Sequence, residues 1–258
     1  MTLSNQQRTY PDKPEKIYFF GTCLIDTLYP EAGLDSMRLI AREGVKVIFP
    51  ADQTCCGQPA WNSGFRDEAR AVARQQLACF PKEYPIVVPS GSCAGMLRHH
   101  YPELFKGEAE EASIQAFADR VYELTEFLVN VLKINPQDLG APIKVTLHTS
   151  CSARREMGVA EQHEQLLSQL DNVEVIEQAR KKECCGFGGT FAVKHPEISA
   201  AMVEEKVETI LATDTNKLVS GDCGCLMNIT GHLKHIDKPL RGQHIASFLW
   251  ERTNAADD

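Results

Sequence analysis

Nine of the ten cysteines in this 258-residue chain stand in a pattern. They are Cys23, the adjacent pair Cys55 and Cys56, Cys93, Cys151, the adjacent pair Cys184 and Cys185, and Cys223 with Cys225. Thiolates are the soft ligands and nucleophiles of the side-chain repertoire. Two of them side by side give one loop two donor atoms for a metal or a redox centre. Disulfide scaffolds are usually short, secreted and loop-rich. This chain is long, and its segment from Met1 to Lys16 is polar with no apolar signal core, so a reducing, cytoplasmic setting is expected. There, thiols at regular spacing point to a metal or redox centre.

The pattern is a duplication. Thr54-Cys55-Cys56-Gly57 recurs 129 residues later as Glu183-Cys184-Cys185-Gly186, and Gly21-Thr22-Cys23 recurs as Thr149-Ser150-Cys151 at an offset of 128. Ser90-Gly91-Ser92-Cys93 recurs as Ser220-Gly221-Asp222-Cys223 at an offset of 130. Near-constant offsets at three landmarks identify an internal repeat.

Each landmark is preceded by a short apolar run that reads as a strand: Ile17 to Phe20, Val45 to Phe49 and Ile86 to Val88 in one half, Lys144 to His148, Val173 to Ile176 and Leu218-Val219 in the other. Helical periodicity lies between them. Ala69, Val72, Ala73, Leu77 and Phe80 follow the first Cys-Cys-Gly string, and Ala200, Val203, Val207, Ile210 and Leu211 follow the second. Leu124, Phe127, Leu128, Val131 and Leu132 close the first half as a helix, as do Ile245, Phe248 and Leu249 the second. Alternating strands and helices predict an α/β fold made of two duplicated βαβ-type halves with mainly parallel sheets and cysteine loops at the strand C-terminal ends. The expected organisation is a disordered tail over 1–15, a first half over 16–138, a turn-rich join from Asn135 to Pro142, and a second half over 142–258. Lys106 to Ala118 has no counterpart in the second half and reads as an acidic helical insertion.

Loops at the carboxyl ends of parallel strands converge on one edge of a sheet. Cys23, Cys55, Cys56 and Cys93 can therefore meet, and so can Cys151, Cys184, Cys185, Cys223 and Cys225. Helical segments after each landmark put positive helix ends near the sulfurs, which favours thiolate. Gly57 and Gly186 let the backbone turn closely or take positive φ, and Gly188 and Gly189 extend that freedom. Adjacent thiolates suit an iron–sulfur cluster. Structural zinc also takes four thiolates, but from close Cys-x₂₋₄-Cys knuckles, whereas here the donors are single or adjacent and spread over some seventy positions. Cys79 lies seven residues after Val72 on a helical face, has no counterpart in the second half, and reads as core.

The twice-repeated Cys–x(about 32)–Cys-Cys-Gly–x(about 36)–Cys pattern resembles the CCG cysteine-rich domain of the heterodisulfide reductase B subunit and the glycolate oxidase iron–sulfur subunit. With Val88-Pro89-Ser90-Gly91-Ser92-Cys93-Ala94-Gly95-Met96 and Gly224-Cys225-Leu226-Met227-Asn228-Ile229, the chain is most similar to the lactate utilization protein A family over roughly residues 16–252. The resemblance implies two clusters, of [4Fe-4S] type, one per half: Cys23, Cys55, Cys56 and Cys93 hold one, and Cys151, Cys184, Cys185, Cys223 and Cys225 supply the other. Heterodisulfide reductase ends the motif with Cys-x-x-Cys; here the endings are Cys93-Ala94-Gly95-Met96 and Cys223-Gly224-Cys225, so Cys223 and Cys225 are both candidates. No ferredoxin Cys-x₂-Cys-x₂-Cys-x₃-Cys run is present, which assigns such clusters to a partner. The implied function is electron transfer in an oxidoreductase complex that oxidises L-lactate to pyruvate, with a ferredoxin-motif iron–sulfur subunit and a third lactate-utilization subunit as partners. The alternatives are a subunit of a glycolate-type 2-hydroxyacid oxidase or of a heterodisulfide-type thiol–disulfide reductase, and a zinc-stabilised assembly module without catalysis.

Other residues carry weaker signals. His148, three residues before Cys151, can tune or ligate a cluster, although a hydrogen-bonded structural histidine is the commoner use of such a position. His99 and His100 read as a surface pair, Arg154 and Arg155 as an anion site or solvated arginines, and Trp61 as a cluster shield or core residue. His195, His232, His235 and His244 show no metal-ligand spacing. The formal net charge of −8 argues against a nucleic-acid partner. Apolar runs such as Ile86 to Val88 are far below the roughly 18–20 residues of a bilayer span. Neither a dinucleotide-binding glycine fingerprint after the first strand nor a Gly-x-Ser-x-Gly string is present.

Overall fold

A computed structural model of the chain describes residues 8–238 and 240–254. It contains two four-stranded sheets, and every strand pair is parallel. The first sheet comprises β1 (Lys16–Phe19), β2 (Lys46–Ile48), β3 (Ile86–Val88) and β4 (Val121–Glu123) in the spatial order β2-β1-β3-β4. The second comprises β5 (Ile143–His148), β6 (Val173–Val175), β7 (Lys217–Ser220) and β8 (Arg241–His244) in the order β6-β5-β7-β8. The two sheets have the same topology, as the duplication requires, and the α/β expectation is met in both halves. In each, the chain leaves the central strand to one side and then returns to the other. This creates a topological switch point at the carboxyl ends of β1 and β3, and of β5 and β7, where ligands bind in such sheets.

The edge strands β4 and β8 were not among the strands expected from the sequence. Val121–Glu123 has three residues, too few for alternation to register, and Arg241–His244 reads Arg-Gly-Gln-His with no apolar face. Both become strands by pairing with β3 and β7. The stretch from Lys106 to Ala118 contains helix Glu111–Asp119, which buries Ile114 and Phe117. Residues 1–7 of the expected tail lie outside the described residues. Arg8 Nη1 donates to Val121 O (2.9 Å) and Tyr10 Oη to Glu126 Oε1 (3.2 Å), so the chain just before β1 is held against the first half.

Side chains alternate across a strand, and this divides the core. Ile17 and Phe19 of β1 point into a cluster that also contains Val145, Leu166, Val219, Phe248 and Leu249 of the second half. The two halves thus share one apolar interior. It is walled by two related helix contacts: Pro30–Arg42 against Ile245–Thr253, and Ala160–Ser168 against the helix that begins at Leu124. Tyr18 and Phe20 point the other way, into an outer cluster with Phe80, Ile86, Val88 and Tyr101. The second half's outer cluster contains Val203, Val207, Leu218, Leu226 and Ile229, together with Cys185 and Cys225. On this outer face β5 presents Thr146 and His148, both buried.

Candidate metal centre

The chain after β1 turns at Thr22 (φ 51°), whose Oγ1 accepts from the Ile25 N–H (3.4 Å), and Cys23 opens the helix Cys23–Leu28. The loop after β2 is tied to the end of β1 by Gln53. Its Nε2 donates to Phe19 O (3.1 Å), and its Oε1 accepts from the Gly21 N–H (2.8 Å). Cys55 and Cys56 follow directly. Gly57 sits at φ 83°, in the left-handed region that a side chain would strain, and its N–H donates to Cys55 Sγ (3.5 Å). Tyr101 Oη fixes the loop by donating to Cys56 O (2.9 Å). After β3, Cys93 lies in the helix Gly91–Gly95, and Cys56 Sγ is 3.4 Å from Cys93 Sγ. Cys23 and Cys55 act on each other's thiols, as do Cys55 and Cys56, and all four cysteines line one cavity. The four first-half thiols are therefore gathered as expected.

The second half repeats the arrangement. Ser150 caps the helix Cys151–Arg155 through its Oγ, which accepts from the Ala153 N–H (3.1 Å). Gln178 plays the part of Gln53, with Nε2 donating to Leu147 O (2.8 Å). Gly186 takes φ 84°, and an added Cβ would lie 2.7 Å from Ser199 O. Its N–H donates to Cys184 Sγ (3.4 Å). Cys151 and Cys184, Cys184 and Cys185, and Cys185 and Cys225 each act on one another's thiols, and Cys185 Sγ and Cys225 Sγ lie within 4.8 Å of each other. Arg154 Nη1 donates to Lys181 O (2.9 Å), so this arginine clamps the loop before Cys184.

Cys223 does not join that group. Asp222 is the N-cap of the helix Cys223–His235, in the place that Ser90 occupies before Gly91–Gly95. Cys225, three residues after its cap, is therefore the counterpart of Cys93, and Cys223 is the counterpart of Gly91. The offset of 130 that equated Cys93 with Cys223 is corrected to 132. Cys223 is buried against Ile25 and Ala32 of the first half. With Cys23, Cys55, Cys56 and Cys93 it lines a cavity of about 270 Å³ at the seam between the halves. The mirror contact is Gly91 against Ala153, where an added Cβ would meet Ala153 atoms at 2.8–2.9 Å. The Asp222 carboxylate, 4% exposed, locks this seam. It accepts from the Ser92 N–H (3.1 Å) and Ser90 Oγ (3.2 Å) of the other half, and from its own Gly224 N–H (3.2 Å).

The donor set fits a metal centre. Hydrogen bonds from Cys23 and Cys56 bring the Cys55 thiol down to about 3. Its neighbour Cys23 is pushed well up by the same bond and by burial. Cys56 is raised by its hydrogen bonds to Cys55 and Cys93 and by burial, and Cys223 by burial beside Asp222 and Cys93. Cys225 stands at about 11, its hydrogen bond with Cys185 outweighed by burial and by nearby negative groups. Clustered, desolvated thiols resist carrying several negative charges by themselves. A cation among them reverses that balance and takes the thiolates as ligands.

Gln53, Gln178, Asp222 and Lys206 were missed from sequence. Lys206 is 1% exposed, with Nζ donating to Arg180 O (2.9 Å) and Gln178 Oε1 (3.2 Å). A lysine in the Val203–Val207–Ile210 stripe was the available signal. Gln53 precedes Cys55 by two residues while Gln178 precedes Cys184 by six, which hid the correspondence. Cys79 stays apart, with Sγ donating to Gln75 O (3.3 Å). Trp61 stacks on His100 (centroids 4.8 Å apart) and under Arg66 (3.4 Å). Among the described residues no helix is long and apolar enough to cross a membrane.

Comparison with known proteins agrees with this geometry. The CCG cysteine-rich domain model matches twice, over residues 17–98 and 145–230. Lactate utilization protein A 2 of Bacillus cereus (strain Q1) is 45% identical over 236 residues, covering 91% of this chain and 97% of the relative. Lactate utilization protein A of Geobacillus sp. (strain WCH70) is 45% identical over 240 residues, covering 92% and 100%. A crystal structure of a hypothetical protein from Helicobacter pylori matches at a TM-score of 0.62 with 8% identity, over 96% of this chain and 51% of that one, a likeness of fold alone. Two CCG cysteine-rich domains and this identity over nearly the full length make the chain a member of the lactate utilization protein A family.

Proposed function

We propose that the chain is an iron–sulfur electron-transfer subunit of a cytoplasmic complex that oxidises L-lactate to pyruvate. The observation that carries this reading is the gathering of nine thiols into two groups at the switch points of two related sheets, in a member of a family named for lactate utilization. Cys23, Cys55, Cys56 and Cys93 hold one centre, with Cys223 on the same cavity. Cys151, Cys184, Cys185 and Cys225 hold the other. When bound, an iron–sulfur cluster supplies one-electron transfer at a potential set by its ligands and burial. Oxidation of lactate to pyruvate releases two electrons and two protons, which two one-electron centres match. Gln53 and Gln178 position the Cys-Cys-Gly loops, Gly57 and Gly186 direct an N–H at a sulfur, and the apolar walls exclude water. A ferredoxin-motif iron–sulfur subunit and a third lactate-utilization subunit complete the complex.

Protein purified without oxygen is expected to contain iron and acid-labile sulfide and to absorb broadly in the visible. A strain lacking the gene is expected to lose growth on L-lactate. Iron-free protein, or unimpaired growth on L-lactate with loss on glycolate, refutes the respective part. One observation favours a zinc-stabilised module as the second reading. A tetrahedral ion with bonds of about 2.3 Å holds its thiolates about 3.8 Å apart, close to the 3.4 Å between Cys56 and Cys93. Zinc without sulfide would establish it.

A further inference from the structure

We propose that His148 is a nitrogen donor to the second half's centre, so that the two halves hold chemically unlike centres. The inference rests on the iron–sulfur reading above and adds a ligand to it.

His148 ends β5 on the outer face of the sheet and is 1% exposed. Neither ring nitrogen has a hydrogen-bond partner among the described residues. A ring nitrogen lies within 4.8 Å of both Cys185 Sγ and Cys225 Sγ, which also lie within that distance of each other. Buried imidazoles normally spend both nitrogens on partners, because an unpaired polar atom in the interior is costly. Here the soft chemistry within reach is the sulfur group, and a neutral imidazole is a ready ligand for iron.

The duplication supplies an internal control. His148 stands three residues before Cys151, and the residue three before Cys23 is Phe20, fully buried and packed on Phe80. The position accepts an apolar ring in one half, so the fold does not demand histidine there. The surroundings diverge in the same sense. Lys206, buried in the same half, and Arg154 both act electrostatically on His148, while Phe20 sits among aromatic rings. A neutral imidazole brings the centre no negative charge, where the first half's cavity has a fifth thiol in Cys223, which favours a higher potential, and nearby cations favour the reduced, more negative form. The second half's centre is therefore the electron sink of the pair.

The test is pulsed electron paramagnetic resonance on dithionite-reduced, anaerobically purified full-length protein, grown with natural or ¹⁵N-labelled histidine. The expected result is a strong nitrogen coupling that changes with the histidine label. It should vanish in His148→Phe, a substitution that copies the first half's Phe20, together with a fall in the potential of one centre and no change in the other. Iron-loaded protein with no label-dependent coupling overturns the assignment, and this measurement needs no variant to fold. Protein without iron and sulfide overturns the functional reading and the inference with it.

Discussion

Asp222→Ala is expected to destabilise the whole chain, because one buried carboxylate serves both halves. In the native protein it accepts from Gly224 N–H, Ser92 N–H and Ser90 Oγ at 3.1–3.2 Å. Losing the N-cap of Cys223–His235 costs about 1 kcal/mol. The half-buried Ser92 N–H then loses its acceptor at the seam, at a further 1–3 kcal/mol or so. Ser90 can turn its hydroxyl toward Ser92 Oγ, 3.0 Å away, and contributes little to the loss. The sum is about 3 kcal/mol. In a chain of this size that corresponds to a fall in Tm of roughly 6–12 °C, readable by calorimetry on metal-loaded and metal-stripped protein. Asp222→Asn, which retains an acceptor for Gly224 and loses the one for Ser92, should fall between. A drop under about 2 °C for the alanine variant in both forms would show that the carboxylate does not hold the halves together.

Cys56→Ser is expected to lose most of the first centre's iron while Cys79→Ser retains all of it, measured by iron and sulfide analysis. Equal loss would break the ligand assignment. Gly91→Ala places a methyl group 2.8–2.9 Å from Ala153 atoms of the other half, and chemical denaturation should show a cost of about 1–3 kcal/mol. For metal-stripped protein, burial holds His148 at about 3 and His244 at about 4, both below the ordinary 6.5. The unfolded chain binds these protons first, so stability is full above pH 6.5 and falls as pH drops toward 4 and then 3. Denaturation midpoints measured across that range should decline, and His148→Phe should shallow the decline. A flat profile would contradict the buried, neutral imidazoles.

The duplicated sheets were legible because β1, β3, β5 and β7 are central strands whose Ile, Val and Leu content declares itself. The convergence of the cysteines followed from strand order alone. What hid was set by partners distant in sequence. Ser90 and Ser220 match by letter, but the helix starts equate Ser90 with Asp222, each the residue before its helix, although only Asp222 caps through its side chain. A two-residue shift in register thus sends Cys223 to the first half's cavity and leaves Cys225 for the second. β4 and β8 owe their form to β3 and β7 rather than to their own residues. Lys206 and His148 look surface-compatible as letters and are buried by tertiary packing.

The shared interior has an evolutionary corollary. Its two walls, Pro30–Arg42 on Ile245–Thr253 and Ala160–Ser168 on the segment from Leu124, are related by the duplication. A lone ancestral repeat would have carried both surfaces of such a wall and could satisfy them by embracing a twin, as isologous dimers do. Fusion of two copies freed the seam from symmetry. Only then could one strand end become phenylalanine and its sibling histidine, giving a single polypeptide two thiol groups that differ at one buried neighbour where a homodimer has two of a kind.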